Sequence, residues 1–195
     1  MNPEHSSRRQ FLVGSVSGLS SAWLASRWPA ILAAQEHARQ AAQSSPAKFQ
    51  YFSSEDAIEV EAVAAQVIPS DDSPGAREAR VIYFIDRALL TFDRDKQPVY
   101  RRGLKDLERT TQEIFAGPNR FSSLTPAQQL QVLAAIEKTE FFEVVRVHTI
   151  MGFLAKPTYG GNYNDTGWKL IGFADQMTNE PPFGYYDREF SKRGE

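Results

Sequence analysis

Apolar residues recur at helical spacing along most of the chain after residue 53, and this periodicity predicts a small all-α domain of about five helices. Each predicted helix has its own apolar face: Ile58, Ala62, Ala65 and Val67; Val81, Phe84, Ile85, Ala88 and Phe92; Tyr100, Leu104, Leu107, Thr111 and Ile114; Leu130, Leu133, Ala134 and Ile136; and most of 141–155. The last segment is apolar nearly all round, and its length favours a buried central helix over a strand.

Local signals mark where these helices start and stop. Ser53 or Ser54 caps the first helix, and the Asp-Asp-Ser-Pro run at 71–74 offers caps and a first-turn proline for the second. Pro98 opens the third helix, and Thr125–Gln128 forms a capping box with proline at the first helical position of the fourth. No hairpin signal or internal repeat interrupts the helical pattern.

A long irregular segment rich in aromatic residues and glycine follows the predicted helices. Residues 157–173 read PTYGGNYNDTGWKLIGF, and the tail at 181–190 has the same character. Rigid aromatics between glycines are typical of a surface that a partner's backbone approaches closely. A loop that closes over its own core, with Trp168 as a plug, explains the pattern equally well. The candidate partner-binding residues are Tyr159, Gly160, Gly161, Asn162, Trp168, Phe173, Phe183, Tyr185 and Tyr186.

The N-terminus has the pattern of an export signal. Arg8 and Arg9 precede a weakly apolar run, and Phe11 and Leu12 complete a sequence of the S-R-R-x-F-L type. This pattern resembles a twin-arginine signal peptide over residues 1–34, which directs folded proteins to the periplasm.

The rest of the chain divides into a polar leader and a folded domain. Residues 35–50 are rich in Ala, Gln and Ser and predict a flexible leader, so the folded domain is expected to span 51–195. Arg27 and Pro29 interrupt the apolar run of the signal, which disfavours a permanent membrane span.

Reactive chemistry is sparse. The chain has no cysteine, which excludes disulfides, thiolate metal sites and covalently attached c-type haem. A net charge of −2 gives no basic field for nucleic acid. No phosphate-binding glycine loop and no Glu-x-x-His pair occurs. His148 lies on the most apolar helix, where a hydrogen-bonded core residue is expected.

Three segments together resemble the gluconate 2-dehydrogenase subunit 3 family: 68–89, IPSDDSPGAREARVIYFIDRAL; 124–129, LTPAQQ; and the aromatic segment 157–173. The resemblance implies a helical subunit without a cofactor or catalytic residue of its own. It implies export together with a large FAD-dependent subunit of the glucose–methanol–choline oxidoreductase class. A multihaem cytochrome c subunit, carrying haem c, often completes such a complex. The expected location is the periplasm, at the outer face of the inner membrane, with membrane association only through the complex.

Two other functions fit the residues. A stand-alone periplasmic hydrolase or lyase could use His148 with a carboxylate such as Asp165 or Asp175. The other alternative is an orphan helical binding protein with a different client, which needs no catalytic histidine or carboxylate.

Export is predicted to depend on the arginine pair. Changing Arg8 and Arg9 together to lysine should leave the chain, with any client, in the cytoplasm, because this export route reads the paired arginines. Fractionation followed by immunoblotting measures the distribution, and periplasmic recovery of the double-lysine variant would show that the signal is of another kind.

Overall fold

The computed structural model describes residues 48–117 and 120–175. They form six α-helices: α1 (Ser54–Val67), α2 (Val81–Ala88), α3 (Gln97–Ile114), α4 (Pro126–Ile136), α5 (Glu140–Leu154) and α6 (Thr166–Ile171). Short 3-10 turns lie at Arg94–Lys96, Phe121–Ser123, Pro157–Tyr159 and Tyr163–Asp165. The described residues contain no strand, so the all-α prediction is confirmed. The sixth helix lies inside the segment that was expected to be irregular.

Three of the predicted helix starts are confirmed, two by capping hydrogen bonds and one by the position of a proline. The Ser53 hydroxyl accepts a hydrogen bond from the Asp56 N–H at 3.0 Å. Thr125 and Gln128 form the reciprocal capping box at the start of α4. Pro98 lies in the first turn of α3, where its missing N–H costs nothing.

The predicted start of α2 is wrong. Residues 71–74 do not cap it, because the chain first makes a turn over 76–80 and the helix begins at Val81. Gly75 packs so closely on the backbone of 68–70 that a side chain would overlap it. The residue before α2, Arg80, has a φ of 53°, in the left-handed region that is uncommon for a residue other than glycine.

The central helix is α5, as its apolar sequence predicted. It contacts α1, α2, α3 and α6, and its residues Val145 and Phe153 are completely buried. Close approach to its neighbours needs small residues at two points. The ring of Phe141 fills the space beside Gly103 of α3, and Phe84 of α2 lies against Gly152.

Several residues of the predicted apolar faces are exposed instead. Ile58 on α1, Ile114 on α3 and Leu130 on α4 keep 53%, 40% and 56% of their surface accessible. On α4 the buried position next to Leu130 belongs to Gln129, whose side-chain amide donates to the Phe121 carbonyl at 3.0 Å. Its side-chain oxygen accepts from Gln66 of α1 at 2.6 Å, so a polar residue with satisfied hydrogen bonds links the two helices.

Phe49, at the end of the predicted leader, packs on the helical domain. Its ring stacks on Tyr83 of α2, with 5.0 Å between ring centroids. The buried Asp86 carboxylate, also on α2, accepts the backbone N–H groups of Gln50, Tyr51 and Phe52 at 2.8, 3.0 and 2.9 Å. Three charge-assisted bonds to one carboxylate therefore fix the backbone of residues 50–52 against α2.

Among the described residues, no helix combines the length and apolar character that crossing a membrane requires.

Candidate functional site

The segment 157–173 forms a cap on the C-terminal end of α5. The last carbonyls of any helix lack partners within the helix and need other donors. Here the Asn162 amide donates to the Ala155 carbonyl at 2.8 Å, and the Trp168 indole N–H donates to the Leu154 carbonyl at 2.8 Å. Two side chains of the aromatic segment therefore supply hydrogen-bond donors to the last carbonyls of the central helix.

The glycines let this segment lie directly on the helix backbone. A Cβ on Gly161 would overlap the backbone of Gly152, and one on Gly167 would overlap the carbonyl of Phe153. The backbone that approaches these glycines belongs to α5 of the same chain. Gly160 has a φ of 107° and lies against Arg87, so both its conformation and its surroundings favour glycine.

Asn162 organises the turn between the two halves of the cap. Its side chain is completely buried, and its oxygen accepts the Gly167 N–H at 2.7 Å while its amide holds Ala155. It has a φ of 48°, a left-handed conformation that asparagine tolerates better than most residues. The backbone N–H of the next residue, Tyr163, donates a hydrogen bond to the carbonyl of Ala79, just before α2, at 3.0 Å.

The cap presents aromatic side chains to solvent. Tyr163 is 42% and Phe173 51% exposed. Trp168 is half-buried and meets Phe173 edge-on, with 5.1 Å between ring centroids. The Arg80 guanidinium lies 3.7 Å from the centroid of the Tyr163 ring, within cation–π range. Tyr163, Trp168 and Phe173 are called the aromatic surface below.

The predicted partner-binding residues thus occupy different environments. Gly161 and Asn162 are covered by their own chain, Tyr159, Gly160 and Trp168 are half-buried, and Phe173 is exposed. The Trp168 side chain bonds to the end of α5 and keeps part of its ring accessible. It is therefore compatible both with a plug over the core and with a docking surface. Contact with a partner stays a prediction. Two sets of predicted residues lie outside the described chain: Phe183, Tyr185 and Tyr186; and Arg8, Arg9, Phe11 and Leu12.

His148 belongs to a buried hydrogen-bonded network. Its Nε2 lies 3.0 Å from an Asp93 carboxylate oxygen, and its Nδ1 lies 2.9 Å from the Tyr100 hydroxyl. All three residues are almost fully buried. Because a carboxylate only accepts, Nε2–H donates to Asp93, and in the neutral form of the ring Nδ1 accepts a hydrogen bond from the Tyr100 hydroxyl. Burial, and then the charge of Asp93, raise the pKa of Tyr100 well above its usual value, which keeps the hydroxyl protonated.

The carboxylate beside His148 is therefore that of Asp93. The enzymatic hypothesis had named Asp165 or Asp175 as candidates for this role. Asp175 instead pairs with Lys156 at 3.2 Å on the surface. Sequence reasoning missed Asp93, and it treated Tyr100 only as an apolar position. His148 is 3% exposed, so the imidazole has no open side toward a substrate and acts as a core residue.

A charged surface groove of about 670 Å³ lies between α1 and α3. Its lining includes the aromatic residues Phe52 and Phe121 and side chains of both charges. The charged residues are Glu55, Asp56 and Glu59 of α1, Arg101, Arg102, Lys105 and Glu108 of α3, and Arg120. Glu55 is bonded to Arg120 at 2.8 Å, but both side chains are exposed and solvent screens their attraction. The described residues contain no group of three His, Asp or Glu side chains arranged to hold a metal.

Comparison with protein families identifies the chain. A family model described as gluconate 2-dehydrogenase subunit 3 matches residues 54–175, which is more than half of the sequence and runs from α1 through α6. The chain belongs to the gluconate 2-dehydrogenase subunit 3 family. Searches of curated proteins and of solved structures give no significant match. The family resemblance seen in the sequence is confirmed, and the family region contains the whole cap of α5 and the His148 network.

Removing the His148 side chain is predicted to damage the fold more than any chemical step. His148→Ala leaves the buried Asp93 carboxylate and Tyr100 hydroxyl without the imidazole, and the loss of a buried hydrogen-bond partner costs about 1–3 kcal/mol of unfolding free energy for each group. Denaturant unfolding measures this loss. The control Asp175→Ala breaks an exposed ion pair and should cost at most about 1 kcal/mol.

The same variant separates a core residue from a reactive one. In a purified complex, dehydrogenase turnover per assembled particle should stay near wild type in His148→Ala, with the loss confined to yield. A selective fall in turnover, with folding and assembly intact, would support the enzymatic hypothesis.

Proposed function

We propose that this chain is the non-catalytic small subunit of a flavoprotein dehydrogenase complex, and that the large FAD-binding subunit needs it for twin-arginine export, maturation and stability. Membership of a family named for a subunit of gluconate 2-dehydrogenase supports an accessory role. We assign FAD to the large glucose–methanol–choline-type subunit and haem c to a cytochrome partner, and neither group to this chain.

The observation that carries the proposal is the way in which the aromatic surface is held. Tyr163, Trp168 and Phe173 sit on a cap that is anchored to α5 by Asn162 and by the Trp168 indole. Rotamer-rich or mobile segments lose entropy on binding, whereas an anchored loop has already lost it on folding. Aromatic side chains in such a setting are the residue type that most often dominates an interface.

Export of this chain in a folded state, as a carrier of the large subunit, agrees with a surface that is formed when the chain folds. The paired arginines Arg8 and Arg9 precede the domain by some forty residues, so a signal of the twin-arginine type is separated from the docking surface by the leader. Because that route transports folded proteins, a large subunit docked on the cap could travel with the carrier. We place the assembled complex in the periplasm, at the outer face of the inner membrane.

The reactive side chains of the described region fit a carrier better than an enzyme. His148 is enclosed by Asp93 and Tyr100. Beside the groove between α1 and α3, Glu59 accepts hydrogen bonds from both the hydroxyl and the backbone N–H of Ser122, which fixes the turn at 121–123 on α1. Neither arrangement supports an active site in the described part of the chain, and docking is the function that the geometry favours.

Truncation of Phe173 tests docking most sharply, since its ring is 51% exposed and donates no hydrogen bond to the fold. Losing an aromatic anchor costs roughly 2–4 kcal/mol of binding. At about 1.4 kcal/mol per decade, Phe173→Ala should weaken association on the order of 30- to 1000-fold. Co-purification of the FAD-containing chain and titration calorimetry give the readout.

Two companion variants make the result interpretable. Leu130→Ala removes an exposed apolar side chain of similar exposure from α4 and should bind like wild type. Trp168→Ala should lose both binding and thermal stability, because its indole also caps Leu154. Normal binding by Phe173→Ala and by a folded Trp168→Ala protein would refute docking through this surface.

A further inference from the structure

Residues 48–52 lie outside the helices, and the side chain of one buried residue holds their backbone. The Asp86 carboxylate of α2 accepts the N–H groups of Gln50, Tyr51 and Phe52, one at Oδ2 and two at Oδ1. Because the three bonds share one acceptor group, loss of that carboxylate would release all three N–H groups together. Residues 48–52 are called the strap below.

The strap packs on the buried network of His148. Phe52 is almost fully buried, and its ring centroid lies 5.7 Å from that of Tyr100. Tyr100 is completely buried and bonds through its hydroxyl to His148. Phe52 also lines the groove between α1 and α3. The groove and the network therefore share one side chain, and that side chain belongs to the strap.

The strap meets α1 at Ser53, which is fixed in place by the helix. The Ser53 hydroxyl accepts the Asp56 N–H, and its carbonyl accepts the Ala57 N–H, both at 3.0 Å. Its backbone is extended, with φ −63° and ψ 159°, so the chain changes direction at this residue. Residues at the ends of elements absorb the backbone change in hinge motions. Movement of the strap would therefore turn about Ser53 and leave α1 in place.

The other contacts of the strap involve half-buried side chains. The Tyr51 hydroxyl donates to the Gln97 carbonyl at 3.2 Å, and the ring of Phe49 stacks on Tyr83. Segments with few buried contacts open at a lower free energy than the core does. The strap is thus among the parts of the domain that open locally, ahead of the buried helix α5.

We propose that the strap is a latched cover. The Asp86 carboxylate keeps it closed over Tyr100, and it opens as a unit about Ser53 while the helices stay folded. Opening exposes the Tyr100 ring beside the groove. The strap also joins residues 1–47 to the helices, so a contact or tension on that N-terminal segment acts on the latch before it reaches the core. This inference does not depend on docking through the aromatic surface.

Amide hydrogen exchange on the full chain tests the opening. Amides of 50–52 should exchange at least about tenfold faster than those of the completely buried residues Val145 and Phe153. Low concentrations of denaturant should accelerate them less, because a local opening exposes less surface than global unfolding does. Equal exchange and equal denaturant dependence in the two sets would show that the strap opens only when the domain unfolds, and would overturn the inference.

Asp86→Asn tests the latch. An amide nitrogen in place of one carboxylate oxygen leaves at least one of the three N–H groups without an acceptor. Exchange of 50–52 should rise at least about tenfold, and tetranitromethane should nitrate Tyr100 faster, as followed by peptide mapping. The matched carboxylate-to-amide control, Glu59→Gln, changes the acceptor of the Ser122 N–H and hydroxyl and should leave both readouts unchanged. Equal acceleration in both variants would show general destabilisation and contradict the latch.

Phe52→Ala tests the cover separately from the latch. It keeps the three backbone bonds to Asp86 and removes the ring that packs on Tyr100. Nitration of Tyr100 should increase while exchange of 50–52 stays near wild type. Unchanged nitration in the folded variant would show that the strap does not cover Tyr100, and would overturn the inference even if Asp86→Asn fails to fold.

Discussion

The C-terminal end of α5 is the constraint on which the rest of the site depends. A helix enclosed by its neighbours still ends in carbonyls that require donors, and this chain supplies them from Asn162 and Trp168. To bring those donors close, the loop must rest on the helix backbone, which leaves no space for side chains at Gly161 and Gly167. The direction of α6, and the exposure of the aromatic surface, follow from that contact.

Local sequence signals predicted much of the fold, because some features are decided within a few residues. The caps at Ser53 and Thr125 are of this kind, and the length of the apolar run at 141–155 predicted the buried helix α5. The start of α2 could not be predicted in the same way. Residues 71–74 have good capping chemistry, but the packing of Gly75 against 68–70 delays the helix to Val81.

The site was predicted less completely, since its decisive contacts join residues distant in sequence. His148 was recognised as a core residue, yet its partner Asp93 lies 55 positions away and nothing local indicates the pairing. For Asp86 the sequence contains one indication, because an acidic residue lies inside the otherwise apolar stretch VIYFIDRA. The aromatic segment was interpreted as a docking surface or a plug, and its glycines pack on the backbone of the chain's own α5. The cap is anchored to α5 and leaves the rings of Tyr163 and Phe173 exposed, and this is the arrangement on which the proposed docking depends.

The structure of the assembled complex, determined by cryo-electron microscopy, is the most direct test of docking through the cap of α5. We predict that Tyr163, Trp168 and Phe173 are buried against the FAD-containing subunit, with the α5 cap unchanged from the isolated chain. An interface formed instead by the groove between α1 and α3, with Phe173 still open to solvent, would contradict the account.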